Sequence, residues 1–235
     1  MVSRIKPLRR VASRRAATPA PSRDRLLEAA AQEFAARGFD GAKVDRIAAR
    51  ARINKAMLYY HFHNKADLYR AILAELFRTM AEAVTRACDA ALTPEAQLRL
   101  FIRTIAAEMA ARPHYPAIWL REMAEGGRHV DAPIVGELRS VLDVLARILQ
   151  RGRKEGVFGG AHPVITQMGI VGPLLLFAAS APARERFSRL VPQFSAAAVP
   201  VDALVTHVET ATLAAVAPAA SQPVAPRRSS RRPRR

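Results

Sequence analysis

Residues 41–68 read GAKVDRIAARARINKAMLYYHFHNKADL, and the reading of this stretch decides the fold. Val44, Ile47 and Ala48 stand at i, i+3 and i+4, the spacing of one face of a short helix. Ala51-Arg52-Ile53 interrupts that pattern, and Asn54 is an N-cap for a following helix with Leu58 and Phe62 on one side. Asn64 then caps a longer helix through Leu68, Ile72, Leu76, Met80 and Val84. Upstream, Ser22 is the expected cap of a first helix carrying Leu26, Leu27, Ala30 and Phe34, with Gly38 suited to the left-handed position after its end. Three short helices feeding a long one outline a helix-turn-helix unit.

Beyond this unit the pattern stays helical. Pro94 opens a stripe of Leu98, Phe101, Ile102, Ile105 and Met109. Pro113 and Pro116 open another with Ile118, Trp119 and Met123. From Ile134 the apolar residues alternate in steps of four and three through Leu138, Val141, Leu145 and Ile148, widened by Leu142 and Leu149 and expected to stop at Gly152 and Gly156. A glycine-punctuated apolar segment follows, then a last helix with Val201, Leu204, Val205 and Val208. The predicted class is all-α: a three-helix helix-turn-helix domain, then a larger bundle of about six helices.

The net charge of +17 points toward a polyanion, and its position matters more than its size. Six basic residues and no acid lie in residues 1–22, and six arginines with no acid lie in 217–235, leaving +5 for the body between them. Both ends are rich in Pro, Ala, Ser and Arg and lack apolar periodicity, so 1–21 and 218–235 are expected to be disordered basic tails. Such tails either solubilise the chain or add salt-dependent phosphate attraction. The single cysteine, Cys88, excludes a disulfide framework and suits a reducing, cytoplasmic setting. No secretory signal is read, and the most apolar run, 168–182, is interrupted and too short to span a bilayer.

The stretch from Ala30 to Leu68 resembles the N-terminal DNA-binding domain of the TetR family of regulators. The matching features are Ala30 through Phe34, Gly38-Phe39, Ile47-Ala48, Lys55, Leu58-Tyr59, His61-Phe62, Lys65 and Leu68, in the family's order and spacing. The resemblance implies a DNA-binding domain over 22–80 with its motif at about 42–61, and a helical ligand-binding and dimerisation domain over 81–217. It departs in two places. Arg52 stands where the family's turn glycine is usual, so the turn must avoid a positive φ or bear strain. Ala42 and Lys43 stand where a capping threonine is usual.

Physically, Ile47, Ala48, Leu58 and Phe62 are internal contacts that set the angle between the second and third helices. The third helix then presents Asn54, Lys55, Met57, Tyr60 and His61 outward, toward a major groove whose base edges carry sequence information. Lys55, at the helix N-terminus, is placed for a phosphate. Resemblance implies backbone-phosphate contacts for Tyr59, His61 and Lys65. Asn54, Met57 and Tyr60 are candidates for base edges, and Lys43 and Arg52 for backbone contacts by charge. Core filling competes with DNA contact as a role for Tyr59. His61 and His63 lack a cysteine or acidic partner at useful spacing, so no metal site is expected, nor any cofactor.

In the second half the resemblance rests on Trp119 through Gly127 and on Glu155-Gly156-Val157-Phe158. It implies a homodimer whose four-helix interface uses the Ile134–Leu149 helix and a later one near Gly169–Ser180. Phe77, Phe101, Ile105, Trp119, Met123, Met168 and Phe177 are the candidate pocket residues, with core packing as the competing role for each. Arg121, Glu122 and Glu125 are the polar groups nearby. An apolar lining favours a hydrophobic small-molecule effector. The expected function is a repressor that binds palindromic double-stranded DNA as a dimer and is released by that effector. An architectural DNA-coating protein is the alternative suggested by the tails. No Gly-rich phosphate loop or nucleophile elbow is present, so no enzyme is expected, and no membrane partner.

Overall fold

The structure, a computed structural model, describes residues 22–88, 91–191 and 199–218. The expected basic tails therefore lie outside the described residues, apart from Pro218. Among the described residues there are ten helices and no strand: α1 Ser22–Gly41, α2 Val44–Ala51, α3 Lys55–His61, α4 Lys65–Ala87, α5 Pro94–Ala111, α6 Tyr115–Ala124, α7 Ala132–Lys154, α8 Pro163–Ala179, α9 Ala181–Leu190 and α10 Val201–Val216. The all-α class is as expected from the sequence. No single helix among the described residues is long and apolar enough to cross a membrane.

Side-chain caps open the helices where short polar residues precede apolar runs. Asn54 Oδ1 accepts from Met57 N at 2.7 Å, Asn64 Oδ1 from Asp67 N at 2.9 Å, and Thr93 Oγ1 from Ala96 N at 3.3 Å. The first helix departs from expectation at its end. Gly38 is not a left-handed cap but a break with φ 70° and ψ 179°, after which a further helical turn runs to Gly41. That conformation belongs almost only to glycine. A Cβ there would also stand 3.1 Å from Arg121 Nη1.

The head is organised around buried Leu26, Phe34, Ile47, Leu58, Leu68 and Ile72. This core does not close within α1–α4. Tyr115 and Ile118 of α6 and Ile134 of α7 complete it, so the two halves of the chain share one apolar cluster. A second cluster, with Phe101, Ile102, Val141, Leu145 and Ile170, fills the space among α4, α5, α7 and α8.

One expectation for α7 needs correction. Gly152 does not end α7. It lies inside that helix because Phe158 folds back over it, and an ideal Cβ at Gly152 would meet the Phe158 ring at 2.0 Å. The end is made by Gly156 at φ 75°, where Gly156 N–H bonds Arg153 O and Val157 N–H bonds Gly152 O, a Schellman closure. Of the α7 stripe, Ile134, Val141, Leu145, Ile148 and Leu149 are buried, and Leu138 and Leu142 are half-buried. Apolar surface is left open on α8, through Val164, Ile165, Met168 and Leu176, and at Val135 of α7.

Candidate nucleic-acid interface

Helix α3 is seven residues long and is held by one buried residue of its own, Leu58, with Phe62 buried just after it. With that side fixed, the opposite side is open: Tyr60 is 83% exposed, Tyr59 44% and Met57 40%. His61 is half-buried, its ring edge-on to Tyr60 at 5.4 Å between centroids and tilted against Phe62 at 6.4 Å. Asn54 has its Oδ1 committed to the cap of α3, which leaves its amide NH2 as the group for any base edge.

The basic residues expected to meet phosphate divide into two kinds. Lys43 and Arg52 are exposed at the two ends of α2. Lys55 is also exposed, and its Nζ pairs with Asp45 Oδ1 at 2.8 Å, a hydrogen bond that holds its pKa above the ordinary lysine value. That surface pair can open to exchange Asp45 for a phosphate, because exposed ion pairs contribute little to stability. Lys65 differs from expectation. Its Nζ donates to Phe39 O at 2.9 Å and Ala42 O at 3.3 Å and sits 4.4 Å from the Phe39 ring centroid. The ammonium is thus engaged with the chain at the junction of α1 and α2.

Arg52 answers the question its sequence position posed. It adopts φ 55°, ψ 46°, a left-handed conformation, and it is the only non-glycine residue with positive φ among the described residues. Its N–H bonds Ala49 O at 3.2 Å and the N–H of Ile53 bonds Ala48 O at 3.1 Å, the closure a glycine normally makes. The turn keeps its shape and carries strain of roughly 1 kcal/mol.

The missing threonine cap has a replacement that the sequence did not disclose. Glu33 of α1, 2% exposed, accepts from Arg46 Nε at 2.5 Å and from Lys43 N at 3.4 Å. Arg46 also donates to Gly41 O at 2.8 Å. Burial works to raise the Glu33 pKa, but the bonds from Arg46 and Lys43 and the charges of Arg46 and Arg37 outweigh it and hold the carboxyl below its ordinary value. The carboxylate therefore locks α2 to α1 without a local hydroxyl.

The second half holds a cavity of about 280 Å³ between α4, α5, α6, α7 and α8. Of the residues expected to line it, Phe77, Ile105, Trp119 and Met168 do so. Phe101 does not line it and is fully buried in the second core cluster. Met123, at the far end of α6, points away and is 54% exposed. Phe177 lines a separate cavity of about 180 Å³ between α5, α8, α9 and α10. Lining residues that the apolar pattern did not single out for this role are Met80, Met109, Tyr115 and Gln167. Burial, and then the Glu75 charge, push the Tyr115 phenol up to about 12, so it stays neutral.

Glu122 faces the head rather than the cavity. Fully buried, it accepts from His129 N at 2.7 Å, lies 3.0 Å from His129 Nδ1, and takes a bond from the Tyr69 hydroxyl. Tyr69 and His129 in turn pack on Phe39, at 5.3 and 4.1 Å between centroids. Helix α6 thus touches the cavity with Tyr115, Pro116 and Trp119 and the head with Ile118 and Glu122. Among the described residues no group of three or more His, Cys, Asp or Glu side chains is placed to hold a metal.

Comparison with known proteins fits this geometry. Residues 26–72 match the model of bacterial regulatory proteins of the tetR family, and residues 91–175 match that of the tetracyclin repressor-like C-terminal domain. The chain is 28% identical over 141 residues to the HTH-type transcriptional repressor NicS of Pseudomonas putida, a match covering 58% of this chain and 66% of NicS, just under two thirds of its length. A tetR-family regulatory protein from Rhodococcus RHA1 superposes with a TM-score of 0.69 at 20% identity, covering 86% of this chain and all of that one. FadR from Bacillus subtilis, solved in complex with stearoyl-CoA, superposes with a TM-score of 0.64 at 18% identity, covering 82% and 98% of the two chains. With both its head and its second domain matched in order along one chain, this protein belongs to the TetR family of bacterial regulatory proteins.

Proposed function

We propose that this protein is a transcriptional repressor that binds a palindromic operator as a homodimer and releases it when a small hydrophobic molecule enters the second domain. The observation that carries this reading is the open side of α3. Met57, Tyr59 and Tyr60 stand clear of the protein on a helix anchored by Leu58 and Phe62 and flanked by Lys43, Arg52 and Lys55. A helix of this kind fits the major groove, where Met57 and Tyr60 can meet thymine methyls and Asn54 a base edge, while Tyr59, His61 and the cations meet phosphates.

A dimer supplies two reading heads for the two halves of a palindrome, separated by roughly one turn of DNA. The uncovered apolar residues of α8 support pairing through that helix. Release requires an effector that prefers the head spacing unable to fit DNA. Helix α6 supports such coupling, since it lines the cavity and grips the head. Displacing Trp119 would strain the Glu122–His129–Tyr69 contacts and, through Phe39 and Lys65, the junction on which α2 and α3 rest. The cellular place that goes with this reading is the cytoplasm, on DNA.

Selection of genomic fragments by the full-length protein, followed by competition against bulk DNA, tests the proposal. Enrichment of one palindrome is expected. Equal retention of all fragments would instead indicate an architectural coat driven by the basic ends.

A further inference from the structure

Positive charge gathers at two opposite ends of the molecule, and the head accounts for only one of them. The Arg23 guanidinium stands 5.8 Å over the ring of Phe62, which directly follows α3. The basic stretch 1–22 therefore joins the chain beside the proposed reading helix. Helices α4 and α7 run away from that end side by side, with Leu68 and Ile134 in the head core and Val84 and Ile148 in the second cluster. Thr85, near the end of α4, is twenty residues from Lys65, which at helical rise is on the order of 30 Å.

At that far end α7 turns strongly basic. Residues 144–154 hold Arg147, Arg151, Arg153 and Lys154 and no acid. Arg147, Arg151 and Lys154, in steps of four and three, share one helix face and a groove of about 390 Å³ with Thr85, Cys88 and Gln97. No acidic side chain lines this groove. Arg151 is held in place, its Nη1 donating to Leu92 O at 2.8 Å and its Nε to Glu155 Oε1 at 2.7 Å. Arg147 and Lys154 flank it, both exposed. Like charges at these spacings repel, so the face favours anions laid along it. The C-terminal chain meets the same end. Gly159, just beyond α7, donates its N–H to Val216 O at 2.7 Å, and an ideal Cβ there would stand 2.9 Å from Ala217 O. The six arginines of 217–235 follow from this point.

From this second basic pole we infer that the protein holds two DNA segments at once, the operator at its head and another duplex at the far end of α4 and α7. Backbone phosphates of that duplex lie against Arg147, Arg151 and Lys154, and the C-terminal arginines add further phosphate contacts. Phosphate contact carries no sequence information, so the second segment is held whatever its sequence. Cations spread over two turns of α7 and continued by the C-terminal arginines match a row of phosphates rather than a single small anion. Fixed to a helix at that distance, the α7 cations cannot serve the duplex under α3. This bridging goes beyond the proposed function and rests on it only for what the head holds.

The full-length protein is loaded on an immobilised operator duplex, its heads saturated with operator, and a short fluorescent duplex of unrelated sequence is then added. Retention of the second duplex is expected. It should weaken about tenfold for each doubling of monovalent salt if about four phosphates are engaged, over a range in which the operator stays bound. Arg147→Gln with Lys154→Gln should lower that retention about fivefold and leave operator affinity as it was. Replacing the six C-terminal arginines by glutamine should lower it as well. No retained second duplex, retention that the double variant keeps in full, or an equal loss of operator affinity in that variant would each overturn the assignment. Saturable binding of tripolyphosphate at matched ionic strength, with no duplex retained, would make the groove a small-anion site and overturn it too. Should the head prefer no palindrome, the proposed function fails, and the same capture is read with an immobilised duplex of any sequence.

Discussion

Arg52 and Glu33 show how single residues keep the motif in shape where the usual ones are replaced. Arg52 holds a left-handed conformation that glycine reaches without strain. Arg52→Gly is therefore expected to stabilise the fold by about 1 kcal/mol in urea unfolding, while weakening DNA binding through the lost charge. Glu33 contributes the opposite way. Because its folded pKa lies below the ordinary value, its contribution is present above about pH 4.5 and is lost as pH falls through the depressed folded value. Glu33→Gln should cost about 2 kcal/mol at neutral pH, with the wild-type and variant unfolding curves converging under acid conditions. An equal gap at both pH values would mean that packing rather than charge makes the lock. The conflict at Arg52 was legible in the sequence, because a missing glycine has a definite conformational consequence. Glu33 was not, since its partners Lys43 and Arg46 lie just before and on the next helix and nothing in local spacing announces them.

At the level of helices, spacing located the elements well and their outward partners poorly. The caps at Asn54 and Asn64 follow from short polar side chains before apolar runs, a local relation. The apolar stripe of α7 was visible, yet only packing shows that α4, α5 and α8 cover most of it and leave Leu142 half-buried. The same limit explains the cavity: Phe77, Ile105, Trp119 and Met168 line it, whereas Phe101, one turn before Ile105 on α5, is enclosed in the second core cluster. Gly152 is the clearest case of a residue whose reason is tertiary. Its missing Cβ admits the Phe158 ring, and Gly152→Ala, innocuous by helix propensity, should destabilise the protein by about 3 kcal/mol through overpacking. Thermal unfolding checks this. A neutral or stabilising effect would show that Phe158 is free to leave.

The whole molecule joins a head and a second helical domain through shared packing rather than through a linker. Tyr115, Ile118 and Ile134 complete the head core, so movement of α6 reaches α1 and α4 directly. Charge at this scale is divided, with twelve of the seventeen net positive charges in the terminal stretches and +5 on the body. The proposed pairing of subunits would use the face of α8 bearing exposed Ile165, Met168 and Leu176. Leu176→Glu with Ile165→Glu should turn a dimer into a monomer in sedimentation and lower operator affinity steeply, whereas a variant that remains dimeric would move the interface elsewhere. Everything else depends on α3 reading a groove. Its most direct test is the affinity of Tyr60→Ala for the selected palindrome and for unrelated DNA at one salt concentration. The expected result is a loss of about tenfold or more on the palindrome with unrelated DNA bound as before. Unchanged preference for the palindrome, or an equal loss on both DNAs, would contradict the assignment of α3 as the reading helix.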